Sequence, residues 1–190
     1  MLLHNQDSHT EYLNKINHLL QEGVHQKMHP FHWASFASLD ADKAQLRTVI
    51  LREWCLERRT LIFHTDMRSP KIKQLKANPN CAIMFYSQQH HLQLRFQASA
   101  HIHSQDELAS YHYQQLHAKQ LAIYQAEQAP STAISDPNSL AYTADAQPNF
   151  AVIVCNFDTL DLLHLDEAGH RRILYDWDRH SEISSQERVP

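Results

Sequence analysis

Residues 47–52 read RTVILR, and residues 63–79 read FHTDMRSPKIKQLKANP. In the first stretch, successive side chains would point to opposite faces of a β-strand, and the two resulting sets of residues differ in character. The second stretch ends a strand and begins a short helix, with Ser69 as the expected N-cap and Pro70 as the first helical residue. Together they predict a fold in which strands pass directly into short helices.

The rest of the chain extends this pattern. Seven or eight strands are expected, in residues 31–39, 45–53, 60–65, 81–87, 92–103, 150–157, 159–165 and 170–177. Helices are predicted over residues 10–26, 70–77 and 106–128. Because the strands follow one another and the helices stand apart, we predict an α+β fold with an antiparallel barrel rather than a parallel doubly wound sheet.

One domain is expected over residues 1–190. Its predicted parts are an N-terminal helix (1–28), a barrel core (29–103), a helix and long loop (104–149), and C-terminal strands with a tail (150–190). The loop is assigned because residues 129–149 contain prolines and no clear period.

Composition narrows the possible functions. The chain has a formal net charge of −4 and only 2 glycines. Two glycines cannot form a G-x-G-x-x-G or Walker A loop, which excludes the common glycine-rich nucleotide sites. An acidic chain also lacks the basic excess of nucleic-acid-binding proteins, so no nucleic-acid partner is expected.

The cysteines and the apolar segments indicate the compartment. Cys55, Cys81 and Cys155 are odd in number and far apart, which is typical of reduced thiols in a cytoplasmic protein. The first residues turn polar after three positions, unlike a signal peptide, and the apolar run 150–155 is too short to span a bilayer. We therefore expect a cytoplasmic protein with no membrane association.

Polar side chains cluster at positions that a half-buried strand would not favour. Basic residues lie at both ends of RTVILR and around the start of the short helix, where the helix dipole and Lys71 favour a phosphate. Solvated strand ends with surface salt bridges are the alternative interpretation. The residues in these clusters are Arg47, Arg52, His64, Thr65, Asp66, Arg68, Ser69, Lys71, Gln93, Arg95, Arg171 and Arg172.

The order of these motifs resembles one family. RTVILR, FHTDMRSPKIKQLKANP, IMFY at 83–86 and LQLRFQASA at 92–100 are similar to the flavin-binding split barrel of the pyridoxamine 5'-phosphate oxidase family. The resemblance covers residues 28–103 well and residues 150–190 weakly, through HRRILY and the final ERVP. It implies an antiparallel split β-barrel with flanking helices and a homodimer with FMN at its interface.

The resemblance also implies roles for individual residues. Arg47 and Lys71 would hold the FMN phosphate with Ser69 close by, and Gln93 would reach the isoalloxazine from the partner subunit. The full implied cofactor shell is Arg47, Thr48, Val49, Arg52, His64, Thr65, Arg68, Ser69, Lys71, Gln93, Arg95 and Arg172. Catalytic residues stay unassigned; His64 and His170 are the candidate bases.

The chain departs from the oxidase proper at several positions, and resembles a different branch of the family. Pro70 stands where the family has a basic residue, and Arg52 where it has a lysine. Residues 111–125 contain no arginine, leaving Tyr111 or Tyr113 and Lys119 as phosphate contacts. We therefore expect FMN binding with weak or absent pyridoxamine phosphate oxidase activity.

The sequence leaves three functions open. The first is an FMN-dependent oxidoreductase acting on an unidentified small molecule. The second is a non-catalytic protein that binds FMN or another phosphate ligand, and the third is a dimeric barrel that has lost its cofactor. No metal site is expected, because the histidine pairs, such as His101 and His103, lack a third ligand at a known spacing.

Overall fold

The computed structural model describes residues 3–4, 6–136, 138 and 140–190. Residues 1–2, 5, 137 and 139, which belong to the predicted N-terminal part and the predicted long loop, lie outside the described residues.

Eight antiparallel strands form one sheet in the described part of the chain. They are β1 (Trp33–Asp40), β2 (Lys43–Cys55), β3 (Thr60–Asp66), β4 (Asn80–Ser87), β5 (Leu92–His103), β6 (Phe150–His164), β7 (Arg171–Trp177) and β8 (Ile183–Arg188). Their order is β3-β2-β1-β4-β5-β6-β7-β8, and a further pairing of β3 with β6 closes the first six into a barrel. The predicted α+β split barrel with flanking helices is confirmed.

Within the described ranges, four α-helices flank this barrel: α1 (His9–His25), α2 (Pro70–Ala77), α3 (Glu107–Gln114) and α4 (Ala118–Leu121). Short 3-10 turns lie at Pro30–His32, Ala122–Tyr124 and Gln147–Asn149. Ser8 and Glu11 cap α1 reciprocally. Gly23 allows α1 to pack closely, because a Cβ there would lie 2.6 Å from the carbonyl oxygen of Phe31.

The barrel interior is filled largely by aromatic side chains. Phe36, Phe63, Phe85 and Phe96 point inward from four different strands and are fully buried. Trp54 stacks on Phe157, with ring centroids 5.3 Å apart. This rigid interior fixes which strand residues point outward, and the candidate site lies on that outer surface.

The structure corrects three boundaries. The segments expected as separate strands at 150–157 and 159–165 are one continuous strand, β6, and β8 was not predicted. The helix predicted over residues 106–128 is wrong, since α3, α4 and a 3-10 turn replace it. Its apolar side chains do not form one stripe: Ala109 and Tyr124 are buried, whereas Ile123 is exposed.

Among the described residues, no helix has both the length and the apolar character needed to cross a bilayer.

Candidate functional site

A cavity of about 320 Å³ opens on the outer surface of the barrel, beside β2, β3 and the first turn of α2. Its volume falls in the range typical of small-molecule sites, roughly 300–1,000 Å³. The lining residues are Trp33, Thr48, Val49, Ile50, Arg52, His64, Thr65, Asp66, Ser69, Lys71, Ile123, Tyr124 and Pro130. Seven of the predicted shell residues, all on β2, β3 or the start of α2, therefore meet in one cavity.

A β-bulge brings Arg52 to this cavity. Leu51 pairs with Phe63 and Glu53 pairs with Ile62, so Arg52 is the extra residue of β2. The bulge directs the guanidinium toward His64, and the Arg52 Nε atom is buried without a hydrogen-bond partner among the described residues. Burial lowers the pKa of Arg52, but a guanidinium stays protonated throughout the physiological range.

Lys71 lies at the N-terminal end of α2, where the helix dipole is positive. Its Nζ donates hydrogen bonds to Thr65 Oγ1 at 3.0 Å and to Ser69 Oγ at 2.7 Å. The pKa of Lys71 is lowered, first by burial and then by Arg47, while Asp66 partly opposes these effects. Ser69 is the N-cap residue as predicted, but its hydroxyl accepts from Lys71 instead of capping the helix.

Arg47 is held beside Lys71 by uncharged groups. Its guanidinium donates to Ser38 Oγ at 2.7 Å, Gln74 Oε1 at 3.0 Å and the carbonyl oxygen of Phe36 at 3.3 Å. These acceptors fix the side chain without neutralising it. We call Arg47, Arg52 and Lys71, with the hydroxyls of Thr65 and Ser69, the cationic cradle.

Arg68, another residue of the predicted shell, does not line the cavity. It forms a bidentate ion pair with Asp66, at 2.7 and 3.0 Å, and donates to the carbonyl oxygens of Ala126 and Glu127. Arg68 therefore neutralises the one carboxylate of the cavity lining and anchors the segment that covers it. The positive charge of the cradle is left without a carboxylate partner among the described residues.

The wall of the cavity at β3 is histidine-rich. His64 Nε2 lies 3.2 Å from Nδ1 of His112 on α3, and His112 Nε2 lies 3.6 Å from the Glu53 carboxylate. Burial, then Arg52 and His112, lowers the pKa of His64 to about 3. Burial raises the pKa of Tyr124 to about 12. Both side chains are therefore neutral at pH 7.

Gln93, Arg95 and Arg172 lie elsewhere on the barrel. Arg95 Nη2 is 3.1 Å from Asp161 Oδ2, and Arg172 donates to both oxygens of the same carboxylate at 2.6 and 2.9 Å. Asp161 and Arg172 also line a separate cavity of about 490 Å³. We call Arg95, Asp161 and Arg172 the Asp161 cluster.

Strand register gives the separation between the cavity lining and the Asp161 cluster. Thr48 pairs with Ser35, Ser35 with Met84, and Met84 with Arg95. Three interstrand steps of about 4.8 Å place Thr48 and Arg95 about 14 Å apart on one outer face. The predicted shell residues therefore form two separate groups within one subunit.

Several neighbours of the site were missed by the sequence analysis. Ser38 and Gln74 hold Arg47, and Tyr124 and His112 close the cavity wall. Gln74 had one available signal, since it lies one helical turn after Lys71. Tyr124 and His112 had none, because their segment was predicted as one continuous helix.

Comparison with known proteins assigns the family. The model of the pyridoxamine 5'-phosphate oxidase FMN-binding domain matches residues 10–104, half of the chain. The chain belongs to this family. None of the curated proteins matches it in sequence.

Solved structures agree on the fold. A pyridoxamine 5'-phosphate oxidase-related FMN-binding protein from Nostoc punctiforme superimposes with a TM-score of 0.80 at 20% identity, covering 100% of both chains. PhzG from Burkholderia lata, in complex with tetrahydrophenazine-1-carboxylic acid, gives a TM-score of 0.76 at 14% identity, covering 100% of this chain and 98% of its own. General stress protein 26 from Bacillus anthracis gives 0.50 at 15% identity, with 75% and 92% coverage.

Proposed function

We propose that this chain binds FMN, with the phosphate in the cationic cradle. The observation that carries the proposal is the surplus of positive charge at Arg47, Arg52 and Lys71, at a helix N-terminus and without a free carboxylate nearby. A phosphate dianion is the ligand that such a group of donors favours. The family of the chain supports the same ligand.

The remaining cavity wall fits a planar heteroaromatic ring. Val49 and Ile50 provide apolar surface, and Trp33 provides an aromatic one. The unpartnered Nε of Arg52 is a buried donor available to a ligand acceptor. FMN bound here would supply hydride transfer, and the chain would supply its position and electrostatic surroundings.

The proposed assembly is a homodimer with FMN at the interface. Apolar side chains on the outer face of β1, β2 and β4 are exposed, including Trp33 at 52% and Leu46 at 71%. Tyr86 and Met84 continue the same face. Trp33 also lines the cavity, so a second copy seated on this face would cover the site.

In the same assembly, the cationic cradle of one subunit would lie beside Gln93, Arg95 and Arg172 of the other. Gln93, Arg95 and Arg172 do not line the cavity beside the cradle of their own subunit. In a two-fold dimer each subunit can offer these residues to the cradle of the other. We therefore assign them to the partner's FMN, with Asp161 holding the two arginines in place.

The proposed activity is that of a cytoplasmic oxidoreductase acting on a small molecule. The reduced state of the cysteines supports the compartment, since Cys55, Cys81 and Cys155 are all free. Arg52 lines the cavity, and we assign it to an anionic substrate group as well as to the cofactor. We retain the expectation of weak turnover with pyridoxamine and pyridoxine phosphates.

Ligand selectivity tests the cofactor assignment. Flavin released by denaturing the purified protein should have the mass of FMN. Titration of the flavin-free protein should give FMN an affinity at least about 100-fold above that of riboflavin, because riboflavin lacks the phosphate that the cradle binds. Equal affinities, or recovery of FAD, would contradict the proposal.

Light scattering tests the assembly. Leu46→Glu should convert the dimer to a monomer, because it places a charge on the proposed contact face. Met28→Glu is the matched control, since Met28 is fully exposed and lies outside this face. A flavin-loaded wild-type monomer would refute the dimer.

Turnover distinguishes the enzyme from a non-catalytic carrier. The FMN-loaded dimer should reduce its flavin when mixed anaerobically with a donor from a panel of small amines, alcohols and nicotinamides, as followed by flavin absorbance. Flavin that stays oxidised with every donor would favour the carrier.

A further inference from the structure

Three polar side chains connect the cavity with the protein surface. His64 lines the cavity, and its Nε2 contacts Nδ1 of His112 at 3.2 Å. His112 is buried, and its Nε2 has no hydrogen-bond partner among the described residues, although the partly exposed carboxylate of Glu53 lies 3.6 Å away. The three residues come from β3, α3 and β2, so the folded barrel assembles them from distant parts of the chain.

The nature of each group determines where the ring protons lie. The Glu53 carboxylate, 3.6 Å away, makes no hydrogen bond with His112, but its charge favours a proton on the ring nitrogen that faces it, Nε2. Nδ1 of His112 then has the lone pair, and it accepts from the Nε2–H of His64. A neutral His64 in this tautomer has its own lone pair on Nδ1, which is buried without a hydrogen-bond partner among the described residues.

We propose that Glu53 and His112 are positioning residues, which hold His64 in the Nε2–H tautomer and so present its Nδ1 as a hydrogen-bond acceptor to the bound ligand. The proposal rests on the proposed FMN site.

The groups around both rings keep them neutral at physiological pH. His64 faces Arg52, His112 and the ring of Phe150. Burial, followed by the effects of Arg52 and His112, lowers the pKa of His64 to about 3. His112 faces Glu53, His103 and the ring of Tyr111. Its pKa is lowered by burial and by His103, with Glu53 opposing them. Neutral rings are required for a fixed tautomer to exist.

The tautomer can be measured without any flavin. Long-range ¹H–¹⁵N correlation spectra of the flavin-free protein at pH 7, assigned with His64→Gln and His112→Gln, should show His64 protonated on Nε2 only. This form should persist down to pH 5. A dominant Nδ1–H form, or an imidazolium at pH 6, would overturn the proposal.

A second variant tests the dependence on Glu53. Glu53→Gln should give a mixture of both tautomers at His112 and His64, because an amide carries no charge to favour the proton on Nε2. Glu57→Gln is the control, since Glu57 is exposed and contacts Cys55 rather than either histidine. Unchanged tautomers in Glu53→Gln would refute the positioning role.

FMN titration tests whether the ligand uses this acceptor. His64→Leu should weaken FMN binding about three- to tenfold, and His64→Gln should retain most of the affinity because its amide oxygen accepts. If His64→Leu binds FMN as tightly as wild type, the proposal is wrong. If wild type binds no FMN, the proposed function is wrong, and the spectra then decide the role of Glu53 and His112 alone.

Discussion

Two groups of basic side chains lie in different parts of the barrel, and their surroundings differ. In the cationic cradle, Arg47 and Lys71 are held by hydroxyl, amide and carbonyl oxygens that leave their charge intact. In the Asp161 cluster, Arg95 and Arg172 share one carboxylate. The first arrangement keeps its positive charge available for an anionic ligand. In the second, the Asp161 carboxylate neutralises part of the positive charge.

This difference shows that a basic residue marks a binding site only when its partners are known. When neutral acceptors hold a cationic side chain, the side chain is ordered and its positive electrostatic potential is preserved, which favours phosphate binding. When a carboxylate holds the cationic side chain, the side chain is also ordered, but its positive potential is cancelled. Arg68, paired with Asp66 at the edge of the cradle, belongs to the second type although its neighbours in sequence belong to the first.

The largest expected effect is on the free energy of unfolding, and it separates the more buried pair of Arg68 with Asp66 from the more exposed pair of Arg95 with Asp161. Arg68→Ala should lower the free energy of unfolding by about 3 kcal/mol, because Asp66, only 7% exposed, would remain as a buried carboxylate without its cation. Arg95→Ala should cost at most about 1 kcal/mol, because the Arg95 side chain is 47% exposed. Urea unfolding at pH 7 measures both, and equal losses would contradict the distinction.

The next effect tests the cradle itself. Lys71→Ala should weaken FMN binding by about 10- to 100-fold, the loss expected for one charge-assisted contact of about 1.5–3 kcal/mol. Lys73→Ala is the matched control on the same helix, since Lys73 is exposed and lines no part of the cavity. Fluorescence titration compares the two. Similar affinities for Lys71→Ala and Lys73→Ala would remove Lys71 from the phosphate site.

The pH dependence of FMN binding follows from the lowered pKa of Lys71. A bound phosphate stabilises the charged ammonium and raises this pKa, so binding is strongest below the pKa of free Lys71 and weakens as pH rises through it. The loss should approach about tenfold per pH unit, the value for one linked proton. Lys71→Arg should remove this loss, because a guanidinium stays charged. An unchanged profile in that variant would refute the linkage.

The smallest effect concerns Asp161. The hydrogen bonds from Arg172, with the charge of Arg95, hold the pKa of Asp161 below its usual range. A depressed carboxyl pKa stabilises the fold above about pH 4 and ceases to do so as pH falls through the folded value. Asp161→Asn should therefore cost about 1 kcal/mol or less at pH 7 and less still at pH 2. Urea unfolding at both values checks this, and an equal cost at both would argue against it.

The sequence predicted the barrel and much of the cradle because both depend on local patterns. Alternation identified the strands, and Ser69 with Pro70 identified the start of α2. Lys71 and Thr65 could then be placed near each other, because the strand end and the helix start are joined directly. Hydrogen bonds between residues this close in sequence depend little on the rest of the fold.

The parts that could not be predicted depend on strand register and on distant segments. The bulge at Arg52 is a mismatch between β2 and β3, which neither strand reveals alone. Asp161 meets Arg95 and Arg172 because β5, β6 and β7 pair in one particular register. The contact of His112 with His64 required the predicted helix over residues 106–128 to be broken, which its residue types did not indicate.

The long strand β6 has a consequence for how the molecule is made. β6 pairs with β5 along almost its whole length, with β3 over residues 150–156 and with β7 over residues 159–164, so it is the strand that closes the barrel. During synthesis the chain emerges from its N-terminus, and β1 to β5 are complete long before residue 164 is added. Until then β3 and β5 have unpaired edges, which attract other nascent strands. The barrel closes only when segments far apart in sequence come into contact, so we expect slow folding. Refolding should therefore need dilute protein, and recombinant expression should benefit from chaperones.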